Sequence, residues 1–280
     1  MYWANVSERQ AATPPLAVST VVFALREPDA ETDAERQLQP DAQAAAQPVV
    51  AQPTAAPEGA HPASGTSSNG PTLWVPLVRR TREPYLGQWA LPGGPLRGDT
   101  SLRGTAAATL RDTTGLAPTL LEQLYTFGGT DRGEGTRTVS VVYWALVRLG
   151  DADTTLTDDP DVAWFRADDP AVLAGLAFDH RQILEYALAR LRAKVSYGEA
   201  AHGLLAPAFT LAQLRAAHEA ILSEDLDPAN FRRTVLASGT VQDTGEVLTG
   251  GRNRPPRLYT ATATAERARA GLPDPEGDPA

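Results

Sequence analysis

Ten residues near the start of the chain, Leu16 to Leu25 (LAVSTVVFAL), constrain the fold most. They are apolar and rich in β-branched side chains, so they read as a buried strand. Two further runs share that character. Thr72 to Arg79 (TLWVPLVR) is a second strand candidate, and Thr138 to Val147 (TVSVVYWALV) is the strongest in the chain. Between the first two, from about Arg26 to Gly70, the composition changes to Ala, Pro, Gln, Ser and Gly without aromatics. Such a stretch buries too little apolar surface to offset its ordering entropy, so a disordered insertion is expected over 26–70.

The chain has 280 residues, enough for two modest domains, and its 42% hydrophobic content suffices for packed cores. Net charge is −9, so any nucleic-acid site must be a local basic patch. There is no cysteine, which excludes disulfides, thiolate metal sites and a cysteine nucleophile and fits a cytoplasmic protein. No apolar run approaches the roughly 20 residues that span a bilayer, and no signal peptide is read at the N-terminus. Lys194 is the only lysine; every other cationic side chain of this kind is arginine.

Gly/Pro turns are expected at Pro92, Gly93, Gly94 and Pro95, and an alanine-rich helix from Thr105 to Thr114 with Gly115 to end it. Further on, Asp179 is placed to cap a helix whose Leu184, Leu188, Leu191 and Val195 lie on one face. Thr210 and Gln213 form a capping-box pattern before a helix carrying Leu214, Ile221 and Leu222. Asp227-Pro228 starts another helix that Gly239 stops. Extended pieces follow at Thr240 to Leu248 and Arg257 to Ala261, joined by the loop TGGRNRPP.

Helix, turn, second helix and Arg-rich hairpin is the order of a winged helix-turn-helix. The second helix buries Phe231 and Val235 and exposes Asn230, Arg233 and, at its margin, Arg232. Asn and Arg are the residue types that read adenine and guanine edges bidentately. Arg252 and Arg254 sit at the hairpin tip and Arg257 on the returning strand, suited to phosphate or minor-groove contact. From Pro228 to Tyr259 there are five arginines against Asp243 and Glu246, a basic patch in an acidic protein.

The segment Gly87 to Leu116 (GQWALPGGPLRGDTSLRGTAAATLRDTTGL) resembles the signature region of the Nudix family. Its glycines fall on Gly94 and Gly115, and its aliphatic positions on Leu110 and Leu116. Its four glutamate positions, however, hold Thr100, Thr109, Asp112 and Thr113. In the family these carboxylates gather Mg²⁺. One shorter carboxylate of four implies no catalytic residue, no metal site and no metal requirement, unless Glu122, Asp131 or Glu134 supplies ligands from elsewhere. A pocket can outlive its catalysis. Arg79, Arg80, Arg82 and Arg137 flank the strands; each is most simply a solvated cation, but Arg79, Arg80 and above all Arg137 are candidates to bind phosphates. Trp89 and Phe178 are candidates to stack on an adenine, with core packing the simpler role.

WALPGG, VSVVYWALV, AWF, LAFDHRQIL, LLAPAFTLAQL, NFRRTVLASGTVQDTGE and RPPRLY occur in this order. Together they resemble the Nudix-related transcriptional regulators of NAD metabolism, the NrtR-type family. The resemblance implies an α+β chain: a Nudix-like mixed-sheet α/β/α sandwich at 15–178 behind a disordered 1–14, a linking helix at 179–195, a winged helix-turn-helix at 196–265 and a disordered tail at 266–280. It further implies a homodimer that binds double-stranded operator DNA, represses NAD-biosynthesis genes and releases DNA on binding ADP-ribose. Two other readings stay open, a Nudix hydrolase of ADP-ribose-type nucleoside diphosphates with an accessory domain, and a protein-interaction module with two vestigial sites.

Overall fold

The computed structural model describes residues 13–26, 70–118, 121–130, 132, 137–148, 156–196, 201–249 and 255–262. The insertion expected at 26–70 therefore lies outside the described residues, except that Arg26 closes the first strand and Gly70 leads to the second. Most of the expected N-terminal segment and the whole expected tail also lie outside them.

Strand β1 (Leu16–Arg26) is the centre of a seven-stranded mixed sheet. It runs parallel to β6 (Val139–Val147), with Val21 opposite Trp144. Its C-terminal half pairs antiparallel with β2 (Thr72–Arg79), and its N-terminal half with the short β4 (Gly93–Pro95). Beyond β2 lie β3 (Trp89–Ala90) and β7 (Val162–Arg166); β5 (Glu122–Phe127) pairs with β6 at the opposite edge. The turns expected around WALPGG thus include two short strands. Gly93 must be glycine, because a Cβ there would meet the Val18 carbonyl oxygen at 2.6 Å.

The period-2 alternation of β1 explains the layering. Val18, Val22 and Ala24 face one side, where Ala106, Leu110 and Leu116 of the α1 region cover them. Val21 and Phe23 face the other, covered by Ile183, Leu184, Ala187 and Leu188. Both faces are buried, so the strand reads as a continuous apolar run rather than an alternating one. Helix α1 (Leu102–Thr114) starts three residues earlier than expected, because Ser101 accepts the Gly104 N–H and fixes the N-cap. Gly115 ends it at φ 82°. A short α2 (Pro170–Ala174) precedes α3 (His180–Ser196).

Helix α4 (Leu211–Leu222) begins with both halves of the Thr210/Gln213 capping box. Helix α5 (Pro228–Ser238) has Asp227 as N-cap and Gly239 beyond its end at φ 69°. The hairpin β8 (Val241–Val247) and β9 (Arg257–Ala261) completes the winged helix. It is tied back by reciprocal backbone hydrogen bonds between Phe209 and Tyr259 at 2.9 and 2.8 Å.

Helix α3 serves both halves. Leu191 and Val195 share one apolar cluster with the sheet, with Leu214 and Ile221 of α4, and with Phe231 and Val235 of α5. Polar ties reinforce the seat. Arg192 donates to the Ile221 carbonyl at 3.0 Å, and Lys194 pairs with Glu122 of β5 at 2.8 Å and lies 5.1 Å from the Trp144 ring centroid. No described helix is long and apolar enough to cross a membrane.

Candidate functional site

The remnant of the Nudix motif lies on the loop 96–101 and α1. Asp112, its one carboxylate, receives the Arg97 guanidinium at 2.6 Å. The three threonines are drawn toward the protein. Thr100 shares a 2.8 Å hydrogen bond with Thr105, Thr109 is buried, and Thr113 donates to the Thr109 carbonyl at 2.7 Å. A divalent ion prefers several oxygen ligands bearing net negative charge. One aspartate already paired with a guanidinium, with the threonine hydroxyls bonded to Thr105, to the helix backbone or buried, does not fit Mg²⁺. Among the described residues no group of three or more acidic or histidine side chains could hold a metal ion. Glu122 is held by Lys194, while Asp131 and Glu134 lie outside the described residues.

The tripeptide Phe178-Asp179-His180 gathers three separate segments on the other side of the sheet. Phe178 adopts φ 56°, a conformation that non-glycine residues take at a cost of about 1–3 kcal/mol. Its ring is held by Tyr85 at 4.7 Å, by the Arg80 guanidinium at 4.4 Å and by His180 at 5.4 Å. Arg80 also donates to its own loop, to the Pro84 carbonyl at 2.7 Å. The Asp179 side chain does not cap α3 as expected. Its carboxylate takes a two-pronged hydrogen bond from Arg132, Nη2 to Oδ1 at 2.8 Å and Nε to Oδ2. Arg132 was invisible in the sequence, since nothing local marks a pair 47 residues apart. His180 Nδ1 accepts the Leu91 N–H of the WALPGG turn at 2.9 Å.

The remaining candidates divide. Trp89 is half-buried against Phe165, ring centroids 4.7 Å apart, with Arg79 5.0 Å from its own ring. Arg79 further lies 3.8 Å from Asp161. Arg137 is exposed and donates twice to the Gly128 carbonyl, at 3.1 and 2.6 Å. Arg80 and Phe178 are thus brought together, Arg79 and Trp89 form a neighbouring pair, and Arg137 sits on the β5–β6 connection.

His180 and His218 both titrate at about 4, below the ordinary 6.5. Burial is the main cause in each; for His180 the Arg132 and Arg80 charges act in the same direction against Asp179, and for His218 the neighbouring His202 does. The unfolded chain takes up these protons near 6.5 but the folded chain only near 4. Stability is therefore full above pH 6.5 and is lost as pH falls toward 4. Each histidine should contribute a loss of about 2 kcal/mol by pH 5. A melting temperature unchanged between pH 7 and pH 5 would show that the imidazoles are not held neutral.

At the C-terminal end, α5 buries Phe231 and Val235 and leaves Asn230, Arg232 and Arg233 exposed. Arg233 donates to the Asn230 amide oxygen at 2.7 Å, so the two polar tips meet one helical turn apart. Arg257 on β9 donates to Asp243 on β8 at 2.6 Å. That bond and the Gly245 N–H hold the Asp243 carboxyl below the usual carboxylate range, the Gly245 bond being the larger influence. Arg257 is thereby a cross-strand brace on the wing. Arg252 and Arg254 lie outside the described residues.

Comparison with known proteins matches both halves. Residues 66–187 match the NUDIX domain, and residues 201–261 match the NrtR DNA-binding winged helix domain. The chain is 33% identical over 189 residues to the ADPR responsive transcriptional repressor NtrR of Acinetobacter baylyi, covering 67% of this chain and 75% of that one. The crystal structure of Shewanella oneidensis NrtR is similar at TM-score 0.61 and 29% identity, covering 88% of this chain and 94% of that one. The same protein complexed with a 27mer DNA is similar at TM-score 0.61 and 28% identity, covering 89% and 94%. The chain belongs to the NrtR family, a Nudix domain followed by the NrtR DNA-binding winged helix domain.

Proposed function

We propose that the protein is a ligand-responsive transcriptional repressor that binds operator DNA as a homodimer and is released by ADP-ribose. The observation that carries the reading is the exposed Asn230–Arg233 pair on α5, set on a winged helix of the NrtR type. The relative from Acinetobacter baylyi is named for repression and for its response to ADPR, and the Shewanella oneidensis protein crystallised with DNA. NAD-biosynthesis genes are the proposed targets, and the cytoplasm the proposed location, as the family resemblance implies.

The division follows the sequence reading: a sensing unit at 15–178, a linking helix at 179–195 and a reading unit at 196–265. The pocket senses without metal and without hydrolysis, which the Arg97–Asp112 pair supports. Arg80 and Phe178, with Arg79, Trp89 and Arg137 around them, are its proposed ligand-binding residues. Asn230, Arg232 and Arg233 read the major groove, while Arg252, Arg254 and Arg257 place the wing on the backbone.

The test is a gel shift on the gene's own upstream DNA with and without ADP-ribose. Arg233→Ala should cost roughly 1–3 kcal/mol on the operator and relax specificity there. Arg254→Ala should weaken binding to all sequences and reduce the salt slope by about one. If both variants bind operator as the parent does, α5 and the wing are not the reading surface.

A further inference from the structure

Arg132 and Asp179 form a largely enclosed ion pair, with side chains 11% and 22% exposed. Every arm of the guanidinium is used. Nε and Nη2 grip the carboxylate, and Nη1 donates to the Phe127 carbonyl at 2.7 Å and to the Thr138 carbonyl at 3.3 Å. The backbone bonds anchor Arg132 to the ends of β5 and β6, so its position does not depend on Asp179. The carboxylate, by contrast, belongs to the residue that opens α3, with the Asp179 carbonyl accepting the Ile183 N–H at 3.2 Å.

Two more guanidinium groups lie on adjoining segments. Arg80 lies over Phe178, next to Asp179 in sequence, and acts together with Arg132 on the charge of His180. Arg137 is bonded to the Gly128 carbonyl, one residue from the Phe127 carbonyl that holds Arg132. Arg80, Arg132 and Arg137 thus stand on the segments that meet Phe178-Asp179-His180 and the facing ends of β5 and β6, a set of cations suited to a multiply charged anion. A phosphate offers two oxygens to a guanidinium fork in the same planar manner as a carboxylate.

We propose that Arg132 is a phosphate-binding residue whose place is kept by Asp179, so that a pyrophosphate group displaces the Asp179 carboxylate and frees the first turn of α3. No bond is made or broken; one anion replaces another on a fixed guanidinium. Released from Arg132, the start of α3 can shift while its far end stays packed against α4 and α5. The chemistry is that of a nucleoside diphosphate or of free pyrophosphate. The inference rests on the effector reading above only for which of these is the natural ligand.

The full chain is titrated calorimetrically with ADP-ribose and, separately, with inorganic pyrophosphate, and hydrogen exchange is followed over residues 180–187. Asp179→Asn removes the competing charge and should tighten both anions by about 5- to 150-fold, the usual range of such coupling. Arg132→Gln should abolish binding of both. Ligand should speed exchange over 180–187 in the parent, whereas Asp179→Asn should exchange fast already and respond no further. If Asp179→Asn does not fold, Arg132→Lys decides: it keeps the charge without the fork and should lose most of the affinity while still melting in one cooperative transition, at a lower temperature for the lost backbone bonds.

An Asp179→Asn protein that binds no tighter, or an Arg132 variant that binds as the parent does, overturns the exchange. So does a parent protein that binds neither anion. Pyrophosphate binding with the expected order of variants, but no ADP-ribose binding, sustains the exchange and removes ADP-ribose as effector. The DNA reading is judged independently by the gel shift.

Discussion

ADP-ribose incubated with the protein and Mg²⁺ or Mn²⁺ should be recovered intact, with no AMP detectable by chromatography. Metal-assisted hydrolysis needs carboxylates that hold the ion against the pyrophosphate and sharpen a water into a nucleophile. Three of the four positions carry threonine, and their hydroxyls are spent on Thr105, on the helix backbone or in the core. The fourth, Asp112, already has a cation from its own chain in Arg97. Removing that cation with Arg97→Ala should leave activity absent, because a single carboxylate is still too few. Turnover in the ordinary enzyme range, about 1 s⁻¹ or more, would overturn the reading of a pocket without hydrolysis.

Operator DNA should weaken ADP-ribose binding by the same factor by which ADP-ribose weakens operator binding. The equality is a thermodynamic requirement for two ligands that favour different states of one protein. Typical coupling of 1–3 kcal/mol sets the factor at about 5- to 150-fold. The proposed route is α3, whose first residue His180 accepts the Leu91 N–H and whose last turns are buried with α4 and α5. Calorimetric titration of ADP-ribose into free protein and into protein saturated with operator measures it. Identical affinities in the two titrations would show that ADP-ribose is not the effector. Arg137→Ala separates structure from sensing: loss of ligand binding with DNA affinity intact assigns Arg137 to the pocket, and loss of both makes it a brace for the β5–β6 connection.

Elements written in local signals were legible from the sequence. The capping box at Thr210, the Asp227-Pro228 start, the Gly115 and Gly239 stops and the long apolar strands all appear where their residues direct. Strand β5 was missed because EQLYTF is an edge strand that buries only Phe127 and carries no strong alternation. Strand β7 has only five residues, too few for a pattern to emerge. The site was harder still, since side chains there choose partners far away in the chain. Asp179 has the sequence position of a helix cap, yet Arg132 offers a charged fork that a backbone N–H cannot match. His180 stands among ordinary helix residues, and its burial and its bond from Leu91, 89 residues earlier, arise only in the folded chain.

The lone lysine makes one joint of this molecule chemically addressable. Lys194 is the only amine on any side chain, and it is seated between Glu122 and the Trp144 ring at the end of α3. A side-chain amine seated in this way is shielded from an acylating reagent, whereas one swung into water is open to it. The rate of acylation at this single position therefore becomes a clock for the seating of α3 on β5. Read with and without pyrophosphate, it reports whether the far end of α3 keeps its seat while the start moves, with no residue mutated.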